Sequence, residues 1–254
     1  MESEMVSLGD PLTSNAVLSA LQINSQDKII SIKENINADS NFVITHLIKQ
    51  VMYEKNRLCL VNFHNTIEHY QCIGKKLGYD LLKAVNEGIV KIIDPLKDIA
   101  ESTDLDSEYL QENKETLVKQ LYFDIKRNLD SVKIDNKLVY LIIDDFSHLH
   151  DLDVGIKETL RFLHYCINLI KSDNVCVIFN NHVSTIIDDI ISNNLEYLAD
   201  VHIEVSTLKT GYSQEITGFL TIRRKSSINQ YHYKAFDRGV KTFHPGESIY
   251  HLYK

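Results

Sequence analysis

The octapeptide Glu34–Asn41 (ENINADSN) stands between a short apolar run, Lys28–Ile32 (KIISI), and a helical pattern that begins at Phe42. Strand, loop and helix in that order are where a nucleotide-binding α/β protein carries GxxxxGK[ST]. There the glycine backbone and the lysine neutralise phosphates, and the hydroxyl helps to hold Mg²⁺. Laid on that pattern, both glycine positions are acids, Glu34 and Asp39, the lysine position is Ser40 and the Ser/Thr position is Asn41. Two carboxylates repel a phosphate and no lysine offsets them. The octapeptide reads as a phosphate loop by descent that has lost its function. LVYLIIDDF (Leu138–Phe146) resembles the other half of such a site, an apolar strand ending in an acid that holds Mg²⁺ through water. Any buried strand can end in Asp at a helix-capping loop, so Asp144 and Asp145 are read as structural, a degenerate acidic strand end.

Other candidate chemistry is sparse. His148, His150, Asp151 and Asp153 form a loose HxH-plus-carboxylate pattern without a second cluster at metal-ligand spacing, and they read as solvated loop residues. His64 and His69 flank a helix start with no nucleophile elbow nearby, and no GxSxG or HExxH occurs. Arg223, Arg224 and Lys225 end a strand ahead of Ser226 and Ser227, a flexible loop by its composition, with Tyr231 and Tyr233 close in sequence. Three consecutive cations beside aromatic rings suit phosphate contact and base stacking. The plainer alternative is an exposed strand end or an interface with an acidic neighbour.

Composition sets the frame for these residues. The chain has 254 residues with only 9 Gly, 3 Pro and no Trp, long enough for one large domain with its own core. Net charge is -8, but it is unevenly placed: Ser206–Lys254 carry 8 Lys or Arg against 3 Asp or Glu. An acidic body with a basic final fifth can still meet RNA or an acidic partner. The cysteines, Cys59, Cys72, Cys166 and Cys176, form no CxxC, and three of them sit in apolar runs as small core hydrophobes. The acidic N-terminus is unlike a secretory leader, and no apolar run approaches membrane-spanning length. A reduced, soluble intracellular protein is expected, cytoplasmic or also nuclear, without membrane contact.

Residues 1–26 read as a polar arm or a short helix, with one weak apolar run, Val17–Leu21. From residue 27 onward a single domain is expected. Apolar strand runs at 28–32, 58–63, 89–93, 138–143, 175–180 and 201–205 alternate with helical patterns, among them Phe42–Lys55, Asn65–Leu77 and Val154–Lys171. Ser40 or Asn41 can cap the first of these helices, and Gly78 ends the second. Residues 98–115 hold seven acids and one Lys, as an exposed insert would. Three final β runs, 215–223, 230–236 and 240–243, are joined by short turns. Alternating strands and helices followed by hairpins predict an α/β fold: a mostly parallel central sheet, helices on both faces, extended by C-terminal antiparallel hairpins.

Several stretches in order resemble the Elongator complex protein 6 family, the sixth subunit of the Elongator complex. They are HYQCIGKKLG (69–78), LVYLIIDDFSHL (138–149), FLHYCINLI with NVCVIFNNH (162–182), LKTGYSQEITGFLTIRRK (208–225) and QYHYKAFDRGVKTFHPG (230–246). The resemblance runs from 28 to 243 and leaves out the arm and the acidic insert. It implies a RecA-like three-layer fold without the phosphate loop, in agreement with ENINADSN. It also implies a non-catalytic subunit in a hetero-hexameric ring with the fourth and fifth Elongator subunits, two copies of each. That ring docks on the catalytic Elongator subcomplex and binds tRNA in support of wobble-uridine (U34) C5 modification. Arg223, Arg224 and Lys225 are then candidate tRNA or interface contacts, and no cofactor, metal or catalytic residue is expected in this chain. The competing readings are a nucleotide-binding RecA-type ATPase and a recombination-accessory protein.

Overall fold

Strand geometry sends alternate side chains to opposite faces, so the continuous apolar runs require cover on both sides of the sheet. The computed structural model describes residues 15–97, 114–134, 137–172, 174–237 and 239–247 and supplies that cover. The first 14 residues of the expected arm and most of the acidic insert, 98–113, lie outside the described residues.

In chain order the elements are α1 (Ala16–Leu21), β1 (Ile29–Asn35), α2 (Asn41–Tyr53), β2 (Arg57–Asn62), α3 (Ile67–Leu77) and α4 (Leu81–Asn86). There follow β3 (Val90–Ile93), α5 (Lys114–Val132), β4 (Val139–Asp144), α6 (His148–Asp151) and α7 (Ile156–Asn168). The chain continues through a 3-10 turn (Leu169–Ser172), β5 (Val175–Val183), α8 (Ile186–Leu198) and β6 (Val201–Thr207). Last come β7 (Gly218–Arg224), β8 (Ser227–Phe236) and β9 (Gly239–Phe243). They build one 9-stranded sheet in the order β3-β2-β4-β5-β1-β6-β7-β8-β9. Pairing is parallel from β3 to β6 and antiparallel from β6 to β9.

Two cores sandwich the sheet. In β2, Leu58 and Leu60 face α1–α4, whereas Cys59 and Val61 face α5, α7 and α8. Tyr140 and Ile142 of β4 divide from Leu141 and Ile143 in the same way. Burial pushes the Cys59 thiol up to about 12, so it behaves as a packed hydrophobe and not as a nucleophile. At Gly218 a side chain is excluded, since a Cβ would lie 2.2 Å from the Ser206 carbonyl oxygen; β6 and β7 meet there only because nothing projects. Among the described residues no helix is long and apolar enough to cross a membrane.

One boundary departs from the expectation. Residues 16–23 do not trail from the domain as an arm: Val17 and Leu21 of α1 are fully buried, Leu18, Ala20 and Ile23 nearly so. The helix caps β9, where Thr242 Oγ1 donates to the Ala16 carbonyl at 2.8 Å. A segment of six residues, even with five of them apolar, is too short to announce burial, and the face it covers is made by β9 and α2, distant in sequence.

Candidate functional site

The carboxyl ends of β1, β4 and β5 converge because their register brings Ile32 beside Asn180, Glu34 beside His182, and Ile143 beside Phe179. Open α/β sheets bind ligands at this edge. Here the edge is occupied by the protein's own side chains. Strand β1 runs on to Asn35 instead of ending at Ile32, which carries Glu34 to the start of α2. Its Oε2 accepts from the Ser40 backbone N–H and the Ser40 hydroxyl, both at 2.7 Å. Its Oε1 meets His182 Nδ1 at 2.7 Å. Asp39 accepts from the Asn41 N–H at 2.8 Å. Ser40 holds the N-cap position of α2, but its side chain makes no capping bond; the carboxylates of Glu34 and Asp39 satisfy the unpaired donors instead. The left-handed residue of the loop is Asn37 (φ 65°), doing what glycine does in a phosphate loop.

From Ser40 the network goes inward. Its hydroxyl lies 2.9 Å from Asn180 Oδ1, and Asn180 Nδ2 donates to Asp144 Oδ1 at 2.7 Å. The Tyr70 hydroxyl, on α3, donates to Asp144 Oδ2. Asp145 accepts from the Ser147 N–H and hydroxyl and from the His182 N–H. Burial pushes the carboxyls of both aspartates above the ordinary range, with the charge of Asp144 adding at Asp145. Burial and the adjacent Asp144 push the Tyr70 phenol well up. Asp144 and Asp145 thus tie β4 to α3, β5 and the turn after β4, as structural acids would.

This arrangement does not fit a nucleoside triphosphate with Mg²⁺. The N–H that would meet a phosphate is bonded to Glu34, and no lysine stands in the loop. A cavity of about 160 Å³ remains beside it, lined by Glu34, Asp145, His148, His150 and His182 among others. His148 belongs to helix α6 and not to a solvated loop; it bonds Asp151 at 2.6 Å and His64 at 3.0 Å. Among the described residues no three His, Cys, Asp or Glu side chains are grouped to hold a metal. His69, at the other side of the loop, bonds Asn41.

A larger, mostly apolar cavity of about 400 Å³ lies between α2, α3 and β8–β9, with Phe42, Ile73, Leu77 and Tyr233 in its wall. His46 reaches it from α2, and its Nδ1 donates to the Phe42 carbonyl at 2.6 Å. Burial pushes the His46 imidazole from 6.5 down to about 4. A folded pKa below the unfolded value means that stability is whole above pH 6.5 and is lost as pH falls toward 4. That 2.5-unit interval corresponds to roughly 3 kcal/mol at this residue. We expect His46→Leu to remove this part of the acid sensitivity, read as a flatter urea midpoint between pH 7 and pH 4.5. Parallel pH profiles for parent and variant would contradict it.

The basic triplet is not a patch. Consecutive strand residues face opposite ways, so Arg223 points to the α8 side and Arg224 to the α1 side. Arg223 Nη1 donates to Glu204 at 2.6 Å. Although burial opposes it, this bond and that of Asn35 hold the Glu204 carboxyl below the ordinary range. Arg224 donates to Asp27 at 2.7 Å and to the carbonyls of Leu21 and Gln22. Only Lys225 is exposed, in a two-residue turn and not a flexible loop, since Arg224 pairs directly with Ser227. Tyr233 is buried against Phe42, and Tyr231 packs on His244, so neither ring adjoins the triplet as a stacking surface. Sequence reasoning did not single out Tyr70, Asn180 or His182. The available signal was a run of polar residues, Asn180 to His182, ending an otherwise apolar strand.

A family model described as Elongation complex protein 6 matches residues 13–240. The chain is 28% identical over 245 residues to Elongator complex protein 6 of Drosophila melanogaster, covering 91% of this chain and 97% of that one. It is 25% identical over 233 residues to Elongator complex protein 6 of Homo sapiens, covering 83% and 88%. Among solved structures, a KaiC-like protein from the hyperthermophilic archaeon Pyrococcus horikoshii aligns with a TM-score of 0.57 at 13% identity. That alignment spans 85% of this chain and 89% of the archaeal one. At such low identity the likeness is one of fold, and it agrees with the RecA-like fold that the family resemblance implied.

Proposed function

The chain belongs to the Elongator complex protein 6 family, and from that premise we propose that it is a non-catalytic subunit of the Elongator complex. In this reading it joins the fourth and fifth subunits in a hexameric RecA-like ring, two copies of each. The ring docks on the catalytic subcomplex, binds tRNA and supports C5 modification of wobble uridine. The observation that carries the non-catalytic part is the Glu34 carboxylate seated on the Ser40 N–H, where a phosphate would have to bind. Membership of a ring is supported by large apolar side chains that a monomer leaves in water: Ile186 is 80% exposed, Tyr197 89% and Tyr212 91%. An acidic body and a basic final fifth also suit a heterologous interface.

Titration of the full chain with labelled ATP and Mg²⁺ is expected to give no saturable binding. Co-expression with the fourth and fifth subunits is expected to give a particle whose mass corresponds to six chains, two of them this one. Stoichiometric ATP binding by the isolated chain would restore the ATPase reading. A monodisperse monomer that captures neither subunit would remove the ring.

A further inference from the structure

We infer that the cavity between α2, α3 and β8–β9 is a binding site for an aromatic amine, a flat ring that carries a protonated amino group. The inference does not depend on the ring assembly proposed above. The cavity holds about 400 Å³, and small-molecule sites run from roughly 300 to 1,000 Å³. Its body is apolar. Phe42 and Tyr233 pack on each other with ring centroids 4.9 Å apart and form an aromatic wall, and Ile73 and Leu77 of α3 line it as well. Such a lining accepts a flat apolar ring and excludes a hydrated ion.

The polar groups of the lining name what the ring must carry. Asn41 opens α2 beside the cavity, and its Nδ2 bonds His69. Its Oδ1 is buried and, among the described residues, accepts no hydrogen bond. Buried acceptors without a donor are rare, and this one calls for a donor. His46, 3% exposed, gives its Nδ1 proton to the Phe42 carbonyl. With Nδ1 the donor, Nε2 is the lone pair that the imidazole offers the cavity. The sign of the charge comes from the loop before α2. Asp39 lines the cavity. Burial, and then the carboxylates of Asp39 and Glu34, push the Tyr233 phenol up to about 12, so their negative potential reaches the aromatic wall. Lys76 and Asp237 also belong to the lining but are exposed, where water and salt screen them. N–H donors and a positive charge suit all of these groups. A carboxylate or a phosphate is repelled, and a purine brings ring lone pairs of its own to face the two acceptors.

The chain has no Trp, so an indole probe can be excited selectively, and its fluorescence anisotropy reports binding to the full chain. Tryptamine is expected to bind saturably, one molecule per chain. Indole-3-propionate, the same ring with the opposite charge, is expected to bind about tenfold more weakly or worse. Asn41→Leu is expected to weaken tryptamine about fivefold or more, and Ile73→Phe, which fills the cavity, to abolish binding. Asp39→Asn keeps an acceptor for the Asn41 N–H and removes only the charge. It is expected to weaken tryptamine by up to about fivefold and to leave uncharged 3-ethylindole unchanged. Thermal unfolding without probe checks each variant, and the near-isosteric Asp39→Asn keeps the test decisive where a bulkier change fails to fold. Absence of saturable tryptamine binding, equal affinity for the amine and the propionate, or full affinity in a folded Ile73→Phe would overturn the inference. So would displacement of tryptamine by adenosine at equal concentration, which would make the cavity a purine pocket. Each of these failures leaves the functional reading above intact, since that reading rests on the loop and on assembly with other subunits.

Discussion

Glu34→Ala is expected to lower the unfolding free energy by about 2–4 kcal/mol. The side chain is only 17% exposed, and it is the partner of three groups: the Ser40 N–H, the Ser40 hydroxyl and His182. Its removal leaves a helix-start N–H without an acceptor and a cavity that two polar side chains must face. Buried donors that lose their partner cost more than the bond contributed. The variant has a second diagnostic. With the internal carboxylate gone, the Ser40 N–H at the N-cap of α2 and His182 face the vacated space together, and an added anion can replace the lost one. Inorganic phosphate at roughly ten times its dissociation constant would then restore about 1.4 kcal/mol in the variant, with no such gain in the parent. Urea unfolding of both proteins with and without phosphate reads this out. Equal stability of variant and parent, or equal stabilisation of both by phosphate, would show that Glu34 does not stand in for a bound anion.

Arg224→Ala is expected to cost about 3 kcal/mol, near the lower end for breaking a buried ion pair from one side. Its guanidinium holds Asp27, whose side chain is 8% exposed, and two carbonyls at the end of α1. Without it Asp27 keeps its bond from the Asn24 N–H but carries an uncompensated charge. In a domain of this size that loss lowers Tm by roughly 6–12 °C. Amide exchange is expected to be fastest at residues 16–22, because α1 has lost its tie to the sheet. Lys225→Ala, one residue on and exposed, is expected to leave stability within about 0.5 kcal/mol. A triplet acting only as an RNA patch would give the opposite pattern, with all three variants folding alike and RNA affinity falling in each. Arg224→Ala as stable as the parent would refute the clamp.

Much of the fold was legible. Buried strands such as 58–61 and 139–143 are continuous apolar runs, as cover on both faces requires. Gly78 stops α3 in the left-handed conformation (φ 90°) that its residue type announced. Strand ends were less legible. β1 continues through Lys33, Glu34 and Asn35, and β8 begins at Ser227, because a half-exposed strand has no need of apolar residues and so loses its pattern. The functional centre was half legible. Glu34, Asp39 and Ser40 stand in the sequence where a phosphate loop has its glycines and lysine, and two carboxylates there repel phosphate by their type alone. That one of those acids would itself take the anion's place was not visible, since His182 is 148 positions away in sequence.

The basic final fifth shows the same division. Its charge was countable, but Arg223 and Arg224 are neighbours in sequence and lie on opposite faces of the sheet, each consumed by a local acid. Lys234 and Lys241 of the same fifth are seven positions apart and meet only through the β8–β9 register.

By itself the amino-acid order determined the α/β class, the alternation of strand and helix, and which residue types stand at positions 34–41. These depend on side-chain type and short-range spacing, which a linear chain carries in full. The tertiary structure alone decided that Glu34 closes the centre, that Arg224 clamps α1, and which aromatic and cationic residues share a face. Each of these is a contact between strands or helices distant in sequence, and register is set by the packing of the whole sheet. A side chain's charge is written in the sequence, whereas its partner is chosen by the fold.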